Sequence, residues 1–291
     1  MKFETPSLEL KYGSGSEASE DGRVRLAAGR TSGLPLPTFN EIAGKYPVFA
    51  NALSVYAAGS VVQGWGHANS DLDLYVVTEE PVVVGDELES FVRHVSTEDP
   101  VIRIVLGEFG AFRADIEVWR AEQIDEVIAR FDCGTPSQET PELDKAEQDM
   151  LYRLASGSPL QGESWWRSRR AAIDESGYGL WLAENRKLIA ETFLEDVAGL
   201  LISGDHETAL LAAHEAFTGA VEAVLAASGD YSINRKWLYR RLLAFPLPEI
   251  TVDEAWAMLT MRGAHEDTAG WAERTARTTQ RLLLAVEAKG L

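Results

Sequence analysis

Two aspartates, Asp71 and Asp73, stand one residue apart in Ser70-Asp71-Leu72-Asp73-Leu74-Tyr75, in a run of β-forming residues from Leu72 to Thr78. Side chains alternate along a strand, so both carboxylates point one way while Leu72 and Leu74 point the other way, toward a core. Carboxylates held side by side repel one another unless a cation sits between them. A set of oxygen ligands suits Mg²⁺, which is held by one or two carboxylates together with phosphate oxygens. Just upstream, Gly59-Ser60 offers backbone N–H groups and a hydroxyl, and glycine lets a phosphate come close to the main chain. Metal-binding carboxylates beside a phosphate cradle describe phosphoryl or nucleotidyl transfer. Gly13-Ser14 and Gly15-Ser16 repeat the dipeptide without an Asp-x-Asp downstream and read as plain chain.

A further pair of acids lies in Arg113-Ala114-Asp115-Ile116-Glu117-Val118-Trp119, where Asp115 and Glu117 share one face of a second strand. Gly59-Ser60, Asp71-Leu72-Asp73 and Arg113-Ala114-Asp115 occur in the order that resembles the signature of the DNA polymerase β-like nucleotidyltransferase superfamily: Gly-Ser, then Asp-hydrophobic-Asp on a strand, then a third carboxylate, often as Arg-x-Asp. The resemblance covers about residues 38–131, and the overall plan looks like that of the two-domain aminoglycoside-type members. It implies one or two Mg²⁺ ions on Asp71, Asp73 and Asp115, a nucleoside triphosphate (ATP is the expected donor), and triphosphate contacts from Gly59 and Ser60. Glu117 joins the catalytic carboxylates either as an alternative third ligand or as the base for the acceptor hydroxyl. Gln63 departs from relatives that carry a basic residue near this place. The cation is then sought in Asn234-Arg235-Lys236-Trp237, which resembles the Lys-Trp helix start of some two-domain relatives, with Lys236 the candidate and Arg235 the weaker one.

These residues need a scaffold. Pro37 to Asn51 reads as a helix capped by Thr38 or Asn40 and interrupted at Pro47. Ser54–Ala58 and Leu72–Thr78 read as strands joined by a glycine-bearing turn, and 86–95 reads as a helix from Leu88, Phe91, Val92 and Val95. Val101–Gly107 and Phe112–Trp119 form a hairpin across Gly110, and 121–131 is helical. The segment 132–138, with the lone Cys133, is the best linker; beyond it strand character ends and helical patterns run over 143–156, 174–203, 207–228, 234–244, 253–262 and 268–289. The expected class is α+β: an N-terminal extension (1–36), an αβ nucleotidyltransferase domain with a small mixed sheet (37–135) and an all-α helical-bundle domain that binds the acceptor (136–291).

With 46 acidic against 27 basic residues the net charge is −19. Nucleic-acid binders draw affinity from phosphate neutralisation by basic patches, so this balance argues against a large nucleic-acid partner and suits a small or cationic acceptor as well as plain solubility. The most basic and aromatic stretch, Trp165-Trp166-Arg167-Ser168-Arg169-Arg170, is either a stacking platform for a tRNA end or a packing element with a solvated basic face. Glu191, Glu195 and Asp196 read as a solvated helix face or as a source of a base, and His67 as a loop histidine. No apolar run approaches the roughly 20 residues that span a bilayer. One cysteine gives no disulfide, so a cytoplasmic monomer or homodimer is expected.

The expectation for function is Mg²⁺-dependent transfer of NMP from an NTP to a hydroxyl of a small acceptor such as an aminoglycoside-like antibiotic. Modification of tRNA or protein by a toxin-like member, and a catalytically inactive nucleotide-binding or antitoxin-type module, are the alternatives.

Overall fold

The computed structural model describes residues 36–67, 69–85, 88–110, 112–131, 143–247 and 249–288. The expected N-terminal extension and the linker with Cys133 lie outside the described residues. The chain is an α+β protein with one mixed sheet and a helical C-terminal part.

Helix α1 (Phe39–Lys45) starts on a capping box in which Thr38 Oγ1 accepts from the Glu41 amide and the Glu41 carboxylate accepts from the Thr38 amide. Such a cap is worth about 1 kcal/mol. Pro47 opens a 3-10 turn that plants Phe49 in the core. The sheet is built from β1 (Ser54–Ala58), β2 (Leu72–Thr78), β3 (Ser90–His94), β4 (Val101–Phe109), β5 (Phe112–Arg120) and β6 (Ser158–Gln161), in the order β3-β4-β5-β2-β1-β6. Only β2 and β5 run parallel; every other pairing is antiparallel.

The alternation of β2 and β5 divides the sheet between two cores. Leu72, Leu74, Val76, Ala114 and Ile116 pack on one face with Ile42 of α1 and Phe49. Tyr75, Val77 and Trp119 pack on the other with Ile124 of α3 (Ala121–Ala129), Met150 of α4 (Lys145–Ser156) and Ile173 of α5 (Glu163–Glu175). The acids of both strands therefore look toward the helical part of the chain. Beyond it come α6 (Tyr178–Ser203), α7 (His206–Ala226), α8 (Leu238–Ala244), α9 (Val252–Leu259) and α10 (Thr268–Ala288). α6 and α7 approach closely because Gly219 carries no Cβ, which would meet the Arg186 carbonyl at 3.2 Å and Ala190 at 3.3 Å.

The glycine-bearing turn expected after β1 opens as a single helical turn, α2 (Gly59–Val62). Three expectations are corrected. Within the helix predicted over 86–95, whose first two residues lie outside the described residues, Ser90–His94 is the edge strand β3: a short apolar run fits either period, and pairing of Phe91 with Ile104 and Arg93 with Ile102 decides it. Strand character does not end at residue 131, because Ser158–Gln161 adds β6 beside β1; a four-residue edge strand with a proline carries almost no sequence signal. The helix expected over 174–203 belongs to α5 and α6, which break at Ser176-Gly177. In addition α7 is long and apolar enough, by length and composition alone, to cross a membrane. Its apolar window is 78% buried within the protein, where it supplies the core of the bundle.

Candidate active site

The parallel register of β2 and β5 sets Asp73 directly opposite Asp115, and Tyr75 opposite Glu117. Neighbouring strands lie about 4.8 Å apart, so the two aspartates stand side by side on the face turned toward the helices. Asp71 precedes β2 on the same side and lies 2.8 Å from Arg113 Nη2, an ion pair whose angle falls short of a hydrogen bond. Asp115 is half-buried and makes no hydrogen bond or ion pair among the described residues. The register thus sets Asp73 beside Asp115, with Asp71 just ahead of β2.

β1 leads directly into α2, and Gly59, its first residue, has φ +74°. This left-handed conformation favours glycine. A Cβ at Gly59 would collide with Asp73 Oδ2, so the Gly-Ser turn and the Asp-x-Asp strand are in direct contact. Ser60 follows at half exposure; its carbonyl accepts from the amides of Trp65 and Gly66, both at 2.8 Å, closing the loop. First-turn amides of a helix have no partner within it, leaving donors beside Asp73.

The other oxygen of Asp73 faces Arg153, on α4. Arg153 Nη1 donates to the Tyr75 hydroxyl at 2.9 Å, lies 3.1 Å from Asp73 Oδ1 and 3.7 Å from Glu117 Oε1. Glu117 is 5% exposed. It accepts from Trp119 Nε1 at 3.2 Å and pairs with Arg93 at 3.5 Å. Burial pushes the Asp73 carboxyl up to about 6; Arg153 opposes the rise, while Asp115, Glu117 and Asp149 add to it. Burial alone would lower the Arg153 guanidinium, but Tyr75, Asp73, Glu117 and Asp149 outweigh it and hold the group above its ordinary range. Tyr75, fully buried and stacked on Tyr56 with ring centroids 5.0 Å apart, is pushed well up by burial and then by Glu117.

Two contacts bring later parts of the chain to the Gly-Ser loop. Gln63 Nε2 donates to the Ser156 carbonyl at the end of α4, 3.2 Å away. Trp65 meets Trp237 with ring centroids 5.7 Å apart. Trp237 ends a 3-10 turn, Arg235–Trp237, and carries Lys236 Nζ at 5.2 Å and Arg240 at 5.8 Å over its ring. Lys236 is exposed beside the loop, whereas Arg235 is engaged by Glu215 and Glu222 at 3.0 and 3.2 Å.

Other candidates fall elsewhere. Trp166 is in the core with Arg170 over its ring at 5.6 Å, Arg169 is paired with Asp125 at 2.8 Å and Arg167 with Glu163. Glu195 and Asp196 are exposed, and Glu191 pairs with Lys187. His67 Nδ1 accepts from the Asn69 amide in the loop.

Asp71, Asp73 and Asp115 supply carboxylate oxygens on one sheet face, which is donor chemistry suited to Mg²⁺. Among the described residues no three acidic, His or Cys side chains already converge on a point. Asp71 and Asp73 instead pair with Arg113 and Arg153 at 2.8 and 3.1 Å, cations that an ion at these carboxylates would have to displace. Sequence reasoning missed Arg153 and Tyr75. A signal existed: Arg153 lies between Met150, Leu151 and Leu154 on the buried side of α4, where a charge needs a partner.

No protein-family model matches the chain, and no curated protein matches it. Among solved structures the chain is similar to a nucleotidyltransferase-like protein from Exiguobacterium sibiricum 255-15, at 11% identity and a TM-score of 0.45, over 86% of this chain and 74% of that one.

Proposed function

We propose that the protein is a Mg²⁺-dependent nucleotidyltransferase that moves NMP, with ATP as the donor, to a hydroxyl of a small polar acceptor and releases pyrophosphate. The observation that carries this reading is the pairing of Asp73 with Asp115 across parallel strands, with Gly59 packed against the same Asp73 carboxylate. Asp71, Asp73 and Asp115 would hold the ion, which supplies charge stabilisation on the phosphate oxygens and orients the α-phosphate. Ser60 and the neighbouring amides bind the β- and γ-phosphates, and Lys236 reaches them from across the Trp65–Trp237 contact. Of the β5 acids, Asp115 is half-buried and unpartnered among the described residues, whereas Glu117 has donors on both oxygens and orders Arg93 and Arg153. The acceptor oxygen attacks the α-phosphorus in line, the bond to the β-phosphate oxygen breaks, and a carboxylate on the acceptor side takes the hydroxyl proton. An acidic protein of charge −19 favours a cationic acceptor of the aminoglycoside class. The engagement of Arg167 and Arg169 by Glu163 and Asp125 leaves little of that cluster for tRNA.

The test is pyrophosphate release with each of the four NTPs and Mg²⁺, against aminoglycosides, bulk tRNA or no acceptor, with Asp71→Asn/Asp73→Asn as control. Release that needs one aminoglycoside and vanishes in the control supports the reading; release with tRNA alone transfers the protein to the toxin-like class. Absence of both release and ATP binding contradicts it.

A further inference from the structure

Two carboxylates and one neutral hydroxyl meet at one nitrogen of Arg153. Its aligned hydrogen bond goes to the neutral Tyr75 hydroxyl at 2.9 Å, while Asp73 at 3.1 Å and Glu117 at 3.7 Å lie on either side as ion pairs. A divalent cation on Asp73 and a guanidinium on the same carboxylate oxygen are like charges in a partly buried site, where repulsion is little screened. Arg153 is 22% exposed and Asp73 18%, so water does not dissipate the conflict. The nearer alternative partner is already present: Glu117, 7% exposed in its side chain, in reach of the same Nη1.

We propose that Arg153 is the counter-ion of Asp73 in the metal-free protein and passes to Glu117 when the metal arrives, turning about the Tyr75 hydroxyl. Arg153 and Glu117 are thereby positioning residues that set the affinity for metal, and Glu117 is neither ligand nor base. Tyr75 suits a pivot because a hydroxyl that accepts from a cation keeps that bond whichever carboxylate stands opposite. The inference rests on the proposed metal site at Asp71 and Asp73.

The experiment is calorimetric titration of the nucleotide-free protein with Mn²⁺, in wild type, Arg153→Gln, Arg153→Lys, Glu117→Gln, Arg153→Gln/Glu117→Gln and Asp71→Asn/Asp73→Asn, each checked for folding by circular dichroism. Arg153→Gln is expected to tighten Mn²⁺ at least tenfold, Arg153→Lys to stay within about threefold of wild type. Glu117→Gln is expected to weaken binding several-fold in the wild-type background and to leave it within about threefold in the Arg153→Gln background. Unchanged or weaker binding in Arg153→Gln overturns the proposal, as does an equal loss from Glu117→Gln in both backgrounds, which would make Glu117 a ligand. Binding that survives in Asp71→Asn/Asp73→Asn contradicts the metal site itself, a failure separate from that of the exchange.

Discussion

Replacing Asp73 with asparagine should stabilise the metal-free protein while abolishing its activity. Burial holds the Asp73 carboxyl at about 6 against an ordinary 3.8. The native state thus binds the proton more tightly than the unfolded chain. Stability is highest below pH 4 with respect to this group and falls as pH rises from about 4 through 6. Above that window the ionised side chain costs up to about 3 kcal/mol, from 1.36 kcal/mol per pH unit. Asparagine copies the neutral form in shape and leaves the Arg153–Tyr75 hydrogen bond in place. In EDTA at pH 7.5, Asp73→Asn is expected to gain about 1–3 kcal/mol in urea unfolding, or several degrees in Tm. The gain should shrink toward zero by pH 4. Adding ATP and Mg²⁺ should reverse the order, since ligand stabilises only the form that binds it. A variant less stable than wild type at pH 7.5, or a difference independent of pH, refutes the reasoning.

Gly59→Ala forces a side chain into a left-handed backbone and against Asp73 Oδ2; it should lose about 1–3 kcal/mol in thermal or urea unfolding and at least about 100-fold in kcat/KM, in line with the sensitivity of catalysis to misplacement on the order of 1 Å. Lys236→Ala removes an exposed cation next to the loop and should raise the KM for ATP roughly tenfold with little change in Tm, read by initial-rate kinetics and melting. Asp230→Ala breaks a buried pair in which Arg241 Nε donates at 2.6 Å and Arg241 is 1% exposed; it should cost about 3–5 kcal/mol in urea unfolding, and a cost under 1 kcal/mol would contradict the buried-pair account.

The strands that hold the acids were legible because alternation, glycine and the Asp-x-Asp spacing all act within a few residues. β2 matches its expected limits, and the shared face of Asp115 and Glu117 follows from period two alone. The face-to-face pairing of Asp73 and Asp115 was less legible, since register between strands far apart in sequence depends on the packing of both cores. β3 was misread because Phe91, Val92 and Val95 satisfy helical spacing, and only the presence of β4 decides between the periods. β6 and Arg153 escaped for one reason: their roles come from neighbours about a hundred or eighty residues away, Val55 to Ala57 and Tyr75. Lys236 is suggested by resemblance alone; its neighbour Trp237 lies against Trp65 of the loop, and neither tryptophan announces that contact.

The most direct measurement is label transfer. The protein would be incubated with Mg²⁺ and ATP labelled at either the α- or the γ-phosphorus, with the acceptor that supports pyrophosphate release. The account predicts α-label on the acceptor, γ-label only in pyrophosphate, and neither on the acceptor with Asp73→Asn. Transfer of γ-label to the acceptor, or α-label transfer that persists in Asp73→Asn, would contradict it.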